Sequence, residues 1–418
     1  MNKRQLIKQC ASVLCGGFTA IAASHLSGGI RFPFVQGEST AKPITLDLID
    51  PKAQISLEGA FIQTAVRTNL GLKLVVRAFA PEPIVLIQTE NDFHLELVIK
   101  NISADAMLQT DFSGDLSETQ ETTINRILKC KTGTGRISLV WTVPFTKEYR
   151  FTAIGDSGAG TELNWCLHRS VELKANFVLH LGDVFYDDDD IQKFEGNLDR
   201  SPLPIYISIG NHDFQKSGRN LHPLFTNLAG PMNSLFQIGN TSFVNFDTSA
   251  STWPSSSGNR AKIFDLAQSV KSQTNQWVFM THRPFHDTRE YITEDEKHIL
   301  SAREHEYVMR RMLSLDSSPT LLAGHIHDSI DVFQDNIQTY IAGDGLGVRN
   351  MVTGKNVSKI LVGEQELTKK IKFSWESLNL PKELHCHSKA VNTRRLLNER
   401  AANNNYGESC SMVKKSSS

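Results

Sequence analysis

The sequence predicts an all-β, sandwich-like domain followed by an α/β domain. Two patterns of hydrophobicity and one set of polar strand ends carry that prediction. From residue 40 to 147 apolar side chains recur at every second position, as on a strand with one solvated face. From 148 to 377 short apolar runs alternate with amphipathic segments, the pattern of strands buried on both faces beneath helices. Five of those apolar runs end in Asp, Asn or His.

The 418 residues suffice for two or three domains, and a hydrophobic share of 40% supports a full core. A formal net charge of -1 offers no basic surface to nucleic acid or to an acidic membrane. The chain opens on the basic "MNKRQLIKQ" and the apolar "CASVLCGGFTAIAA", with small residues around Ala22 and Ala23. This is the pattern of a signal peptide over residues 1–23, and the apolar run is short for a membrane span. An N-terminal anchor that stays attached is the alternative. Export, by secretion or to a periplasm, places the mature chain in an oxidising compartment with no stable membrane insertion. Cys130, Cys166, Cys386 and Cys410 then remain. Their spacing matches no zinc knuckle, and Cys166 falls on a buried helix stripe.

In the β-rich part, "GLKLVVRAFA" alternates at Leu72, Leu74, Val76 and Ala78. "FHLELVIK" does so at Phe93, Leu95, Leu97 and Ile99, and "RISLVWTV" at Ile137, Leu139, Trp141 and Val143. Pro, Asn, Asp and Gly clusters separate these runs, which predicts an antiparallel sandwich. The α/β part offers "YRFTAIG", "NFVLHLG", "PIYISIG", "SFVNFD", "WVFMTH" and "TLLAGH" as strands. Its helices present stripes at Leu163, Cys166, Leu167, Ser170 and Val171, and at Tyr307, Val308, Met309, Met312 and Leu313. "IAGDGLG" reads as a further strand and turn. Residues 378–418 are polar and read as a loosely ordered tail.

The polar strand ends are "GDSG" (Asp156), "GDVFY" (Asp183, Tyr186), "GNHD" (Asn211, His212), "THRP" (His282) and "GHIH" (His325, His327). Ligands of open α/β sheets bind at the carboxyl ends of strands. The first three motifs are spaced by one strand–helix unit each, so Asp156, Asp183 and Asn211 come side by side, each beside a glycine that permits a sharp turn. Oxygen and imidazole donors in this number exceed the needs of one ion. Two ions about 3.5–4 Å apart, bridged by one carboxylate, use them all. Such a centre suits phosphoester hydrolysis, because two cations neutralise phosphate charge and lower the pKa of a bound water.

The order GD, GDxxY, GNH, a His before Pro, and GHxH resembles the calcineurin-like metallophosphoesterases and, within them, the purple acid phosphatases. The resemblance runs from Phe151 to about Gly347. The β-rich segment is similar to the accessory domain of larger purple acid phosphatases by pattern alone. The resemblance implies an αββα sandwich for the catalytic domain. Many relatives carry a ligand His two residues after the first Asp, where this chain has Gly158. The purple branch supplies a Tyr three residues after the bridging Asp, and Tyr186 stands there. A free phenol has a pKa of about 10, so a strong Lewis acid such as Fe(III) is favoured to hold it ionised. The resemblance therefore implies Asp156, Asp183, Tyr186 and His327 on a ferric ion. It implies Asp183, Asn211, His282 and His325 on a divalent ion (Fe, Zn or Mn), with Asp183 bridging. His212 would hydrogen-bond substrate phosphate or protonate the leaving alkoxide, the alternative being a structural His beside the ligands. His286, four residues past His282, is a second candidate for substrate contact.

The family usually places Val where this chain has Phe279. The run Asp187–Asp190 is no family feature and reads as a solvated loop; the functional alternatives are weak divalent-ion capture or repulsion of highly anionic substrates. His180 reads as packed rather than catalytic. Asn101, Asn240 and Asn356 match the glycosylation pattern, which matters in a eukaryotic secretory host.

These observations predict an exported binuclear-metal acid phosphatase that hydrolyses phosphomonoesters, small molecules or phosphoproteins, by attack of a metal-bound hydroxide. No Ser or Cys nucleophile accompanies the cluster, so no phosphoenzyme is needed. A phosphodiesterase or nucleotide pyrophosphatase with the same metals is the rival in chemistry. A non-catalytic binding protein with a retained scaffold is the rival from another class.

Overall fold

The computed structural model describes residues 20–22, 30–31, 44–49, 51–216, 218–249, 259–287, 299–346, 358–367 and 369–378. The alternating segments pair as two six-stranded sheets. One runs Ala20–Ala22, Ile44–Ile49, Lys52–Glu58, Ile84–Thr89, Gly135–Thr142, Met107–Thr110 in spatial order. The other runs Leu116–Gln120, Arg126–Lys131, His94–Lys100, Gly71–Ala78, Ala60–Arg67, Ile30–Arg31. The apolar positions read from the sequence, Leu72 to Ala78, Phe93 to Ile99 and Ile137 to Val143 at every second residue, are all buried. The end of the predicted leader, Ala20–Ala22, pairs in parallel with Leu46–Leu48. The rest of the leader, the 379–418 tail, Cys386, Cys410 and Asn356 lie outside the described residues.

Past residue 148 the pattern changes as expected. Tyr149–Ile154 (β1), Phe177–His180 (β2) and Ile205–Ile207 (β3) run parallel in one sheet. Ser234–Ile238 (β4), Thr241–Asn245 (β5), Gln276–Met280 (β6), Thr320–Ala323 (β7), Ser329–Gln334 (β8) and Ile337–Ala342 (β9) form a second, ordered β4-β5-β6-β7-β9-β8. Lys359–Gln365 (β10) and Lys372–Ser377 (β11) return to complete the first as β3-β2-β1-β10-β11. Helices Thr161–Glu172 (α1), Asp188–Asp199 (α2), Asn211–Phe214 (α3), His222–Leu228 (α4), Asn259–Ser269 (α5) and Ala302–Leu315 (α6) fill the connections.

Strand periodicity decides the layering. Phe151, Ala153, Phe177, Leu179, Phe243, Val278 and Met280 meet between the two sheets. There Phe151 stacks on Phe177 at 5.4 Å and meets Phe243 edge-on at 5.6 Å. The intervening residues face outward. Val178 and Ile205 pack on Leu163, Leu167, Phe194 and Leu198 of α1 and α2, and Val244, Trp277, Phe279 and Leu321 pack on Ile263, Phe264, Val308 and Met312 of α5 and α6. The result is the αββα sandwich. Three expectations shift. Gly71–Ala78 and His94–Lys100 pair in parallel within an otherwise antiparallel sheet. Val171 is 45% exposed, because the α1 stripe centres on Leu163, Cys166, Leu167 and Ser170. Tyr307, Met309 and Leu313 only flank the α6 stripe, which centres on Val308, Met312 and Leu315. Cys130 and Cys166 are buried free thiols. Among the described residues no helix is long and apolar enough to cross a membrane.

The two domains share polar contacts at the edge strand β3. Asn101, wholly buried with φ of 65°, donates from Nδ2 to the carbonyls of Ala78 (2.8 Å) and Ile205 (2.9 Å) and accepts from the Ile205 N–H (2.9 Å). The side-chain amide thus stands in for a missing neighbouring strand, which blunts an exposed edge. It also removes Asn101 as a glycosylation acceptor in the folded chain, whereas Asn240 is exposed. Next to it, buried Arg77 reaches Asp199 at 3.2 Å, and Lys100 pairs with the same carboxylate. Asp199→Ala removes the carboxylate that both cations share. It should cost about 3–5 kcal/mol in urea unfolding; a loss below about 0.5 kcal/mol, ordinary for a surface carboxylate, would show the cluster to be idle.

Candidate metal centre

The predicted ligands collect where the carboxyl ends of the two sheets meet. Asp156, Asp183 and Asn211 follow β1, β2 and β3; His282, His325 and His327 follow β6 and β7. Asp156, Asp183 and His325 have φ of 61°, 62° and 68°, a left-handed backbone that costs a non-glycine residue about 1–3 kcal/mol and gathers at functional sites. The strained turns are cross-braced. The Asp156 N–H donates to Gly182 O (2.9 Å), and the His325 N–H donates to Asp156 Oδ2 (2.8 Å).

The side chains divide into two sets around Asp183. Tyr186 Oη lies 3.2 Å from Asp156 Oδ1, 3.2 Å from Asp183 Oδ2 and 3.1 Å from His327 Nε2, with His327 Nε2 at 3.3 Å from Asp156. On the other side, His282 Nε2 lies 3.0 Å from Asn211 Oδ1, 3.1 Å from His325 Nδ1 and 3.4 Å from Asp183 Oδ1. One oxygen of Asp183 therefore faces each set. His282 Nδ1 lies 2.8 Å from the Leu181 carbonyl. That carbonyl can only accept, so Nδ1 carries the proton and Nε2 is left to serve as a donor atom for a cation.

The electrostatics fit a cation pair. Burial would raise the pKa of Asp183, yet His282 and His212 hold it down, to about 2. Burial would lower that of His282, yet Asp183 and Asp156 push it up, to about 9. A proton on His282 thus offsets two buried carboxylates, a task that bound cations perform better. Burial, Asp156 and Asp183 all drive the Tyr186 phenol well above 10. A phenolate at that place therefore needs a strong Lewis acid.

His212 sits at the mouth, with 39% of its side chain exposed and Nε2 4.0 Å from Asp183 Oδ2. Its ring lies 4.7 Å from that of Tyr186, and its backbone N–H donates to Asp183 Oδ1 at 2.9 Å. His286 joins neither ligand set; it bonds Asp335 at 3.1 Å. His180 is buried and bonds Ser157 Oγ at 2.8 Å, as a packed residue would.

Three residues carry more of the site than the sequence revealed. Buried Asp213 accepts from the N–H groups of Asp183 (2.8 Å), Val184 (2.8 Å), Phe185 (2.9 Å) and Gly210 (2.8 Å). Burial and the Asp183 carboxylate press its pKa upward, to about 7, while its backbone donors press the other way. Arg283, inside the quoted "THRP", brings Nη1 to 2.7 Å from His325 Nε2 and so sets a fixed positive charge beside the centre. The acid run is not a loop. Asp187 caps α2, accepting from the Asp190 N–H at 2.9 Å, and Asp188–Asp190 form the first helical turn. Asp190 is buried and accepts from the N–H groups of Tyr186 (2.8 Å) and Ala159 (3.0 Å). The missed signal was the Asp-x-x-Asp spacing ahead of an amphipathic segment, a variant of the capping box.

Glycines matter here for close approach. A Cβ on Gly210 would lie 2.1 Å from Asp183 Oδ1, and one on Gly182 would lie 2.6 Å from His282 Nδ1.

Residues 149–329 match the family model for calcineurin-like phosphoesterase. The sequence has no match among curated proteins. Solved structures similar to the chain include the purple acid phosphatase PPD1 from yellow lupin (Lupinus luteus) seeds, at 10% identity over 82% of this chain and 79% of that one, with a TM-score of 0.46. Another is GAP50, the anchor in the inner membrane complex of Plasmodium, at 13% identity over 56% of this chain and 86% of that one, with a TM-score of 0.40.

Asp213→Ala leaves four amide donors without their acceptor. It should destabilise the fold by at least about 3 kcal/mol in chemical denaturation and weaken metal retention on dialysis. Unchanged stability and metal content would show that these loops hold their shape without it.

Proposed function

We propose, on the premise that residues 149–329 are a calcineurin-like phosphoesterase domain, that this chain is an acid phosphatase of the purple branch acting on phosphomonoesters. The observation that carries the reading is the division of ligand side chains about the two oxygens of Asp183. Asp156, Tyr186 and His327 with Asp183 would hold Fe(III), the ion that suits a phenolate; Asn211, His282 and His325 with Asp183 would hold Fe, Zn or Mn in the divalent state. Such a pair, when bound, neutralises phosphate charge and supplies an ionised water for attack on phosphorus.

The remaining steps belong to the chain. His282 is oriented by Leu181, and Asp213 and Asp190 hold the backbone that carries Asp183 and Tyr186. His212, exposed at the mouth, would bond a phosphate oxygen and pass a proton to the leaving alkoxide. Arg283 adds a charge that does not titrate. The reading extends to export: the basic start and short apolar run at the N-terminus support a secreted or periplasmic enzyme.

The purified protein should be purple or pink from tyrosinate-to-ferric charge transfer, and Tyr186→Phe should remove the colour. A colourless active protein indifferent to Tyr186→Phe would overturn the ferric assignment while leaving the hydrolase. Turnover of p-nitrophenyl phosphate should exceed that of its bis ester; the reverse order would make the enzyme a phosphodiesterase, and no turnover of either would favour a binding protein.

Arg283→Ala should raise KM for a phosphomonoester about 10-fold or more, the worth of one charge-assisted contact. An unchanged KM would remove Arg283 from substrate binding.

A further inference from the structure

Outside the ligand sets, three elements bring two imidazoles and a carboxylate together. His286 lies in the loop after β6, His305 in the first turn of α6, and Asp335 in the tight turn between β8 and β9. His286 Nε2 is 3.1 Å from Asp335 Oδ2, and one donor atom from each residue lies within 4.8 Å of the others. The His305 ring stacks on Phe285 at 5.0 Å and meets the His286 ring edge-on at 5.1 Å. Its Nε2 is buried and has no hydrogen-bond partner. An orphaned buried nitrogen beside a His–Asp pair is a costly arrangement for a plain ion pair. It is the expected arrangement for a ligand set.

We infer that His286, His305 and Asp335 form a mononuclear site for a zinc-like divalent transition ion, separate from the two ligand sets around Asp183. Two imidazoles and one carboxylate match the preference of Zn(II), whereas Ca(II) and Mg(II) favour all-oxygen sets. Zinc bonds of about 2.0–2.1 Å in a tetrahedron set donor atoms about 3.3 Å apart. His286 and Asp335 already stand near that spacing, and a His305 nitrogen lies within 4.8 Å of both. Burial lowers the pKa of His305, which favours the neutral form that a metal requires. Asp335 and Asn336, with φ of 52° and 62°, make a two-residue turn that fixes the carboxylate. Side-chain exposure of 47% at Asp335 leaves the fourth position open to water. A bound ion would tie the loop carrying His282 and Arg283 to α6 and to the β8–β9 hairpin.

The test counts metal and does not depend on phosphatase activity. The full chain, first loaded at its binuclear centre, is equilibrated with Zn(II) and dialysed. The wild type should retain one more zinc per chain than His305→Ala or Asp335→Asn, and added zinc should raise its Tm but not theirs. Asn adopts positive φ readily, so Asp335→Asn keeps the turn and serves as the variant that folds. Equal zinc content in all three proteins, with equal Tm responses, would overturn the site and leave a His286–Asp335 ion pair. Failure of the phosphatase reading changes turnover and leaves this difference of one equivalent in place.

Discussion

Two carboxylates buried within reach of the same phenol dominate this molecule. Asp156 and Asp183 are almost wholly removed from water, and both face Tyr186 Oη at 3.2 Å. Like charges held so close are unfavourable unless something positive lies between them. The fold supplies rigid strand ends to bring them together, and His282 responds by holding a proton far above its ordinary range. Cations relieve the same repulsion and convert it into affinity. The strained φ values at both residues belong to this arrangement, because only a reversal directly after each strand turns the carboxylates toward each other.

The surrounding structure keeps that geometry from relaxing. Asp213 collects N–H groups from both strand ends that flank the centre, and His282 crosses from the second sheet to bond the first at Leu181. The glycines serve the same end: a single methyl group at Gly182 would collide with His282 Nδ1, and one at Gly210 with Asp183 Oδ1. Close approach of two sheet ends explains Gly210, whose backbone is ordinarily extended, whereas Gly182, with φ of 94°, is needed for its turn as well.

What was legible in the sequence was what strand periodicity and motif order encode. Alternation at Leu72, Leu95 and Ile137 marked the sandwich, and the strand ends named the side chains that gather around Asp183. Less legible were features that depend on which neighbours a fold supplies. Val171 continued a helical stripe but met no layer at that angle. Asn101 looked like a surface acceptor until the edge of β3 took its amide. Asp213 and Arg283 sat inside quoted motifs, yet their importance lies in partners far along the chain. His286 was read by its nearness to His282, whereas the loop after β6 carries it toward α6 and Asp335.

The acid run shows how charge can be abundant beside a cation centre without competing for its ions. A carboxylate at a helix N-terminus is stabilised by the free amide groups and the helix dipole. Asp187 and Asp190 take that role, and their oxygens accept from backbone N–H groups, among them that of Tyr186. Asp188 turns outward to Arg219, and Asp189 lies within 3.4 Å of Lys193 on the exposed face. The run is thus committed to local partners before any ion arrives. It is linked to the centre mechanically: Asp190 grips the amide of Tyr186 and that of Ala159 at once, fixing the loop after β2 against the loop after β1. The Tyr186 phenol reaches Asp156 across the gap between those loops, so the position of a carboxylate in the helix determines where the phenol stands.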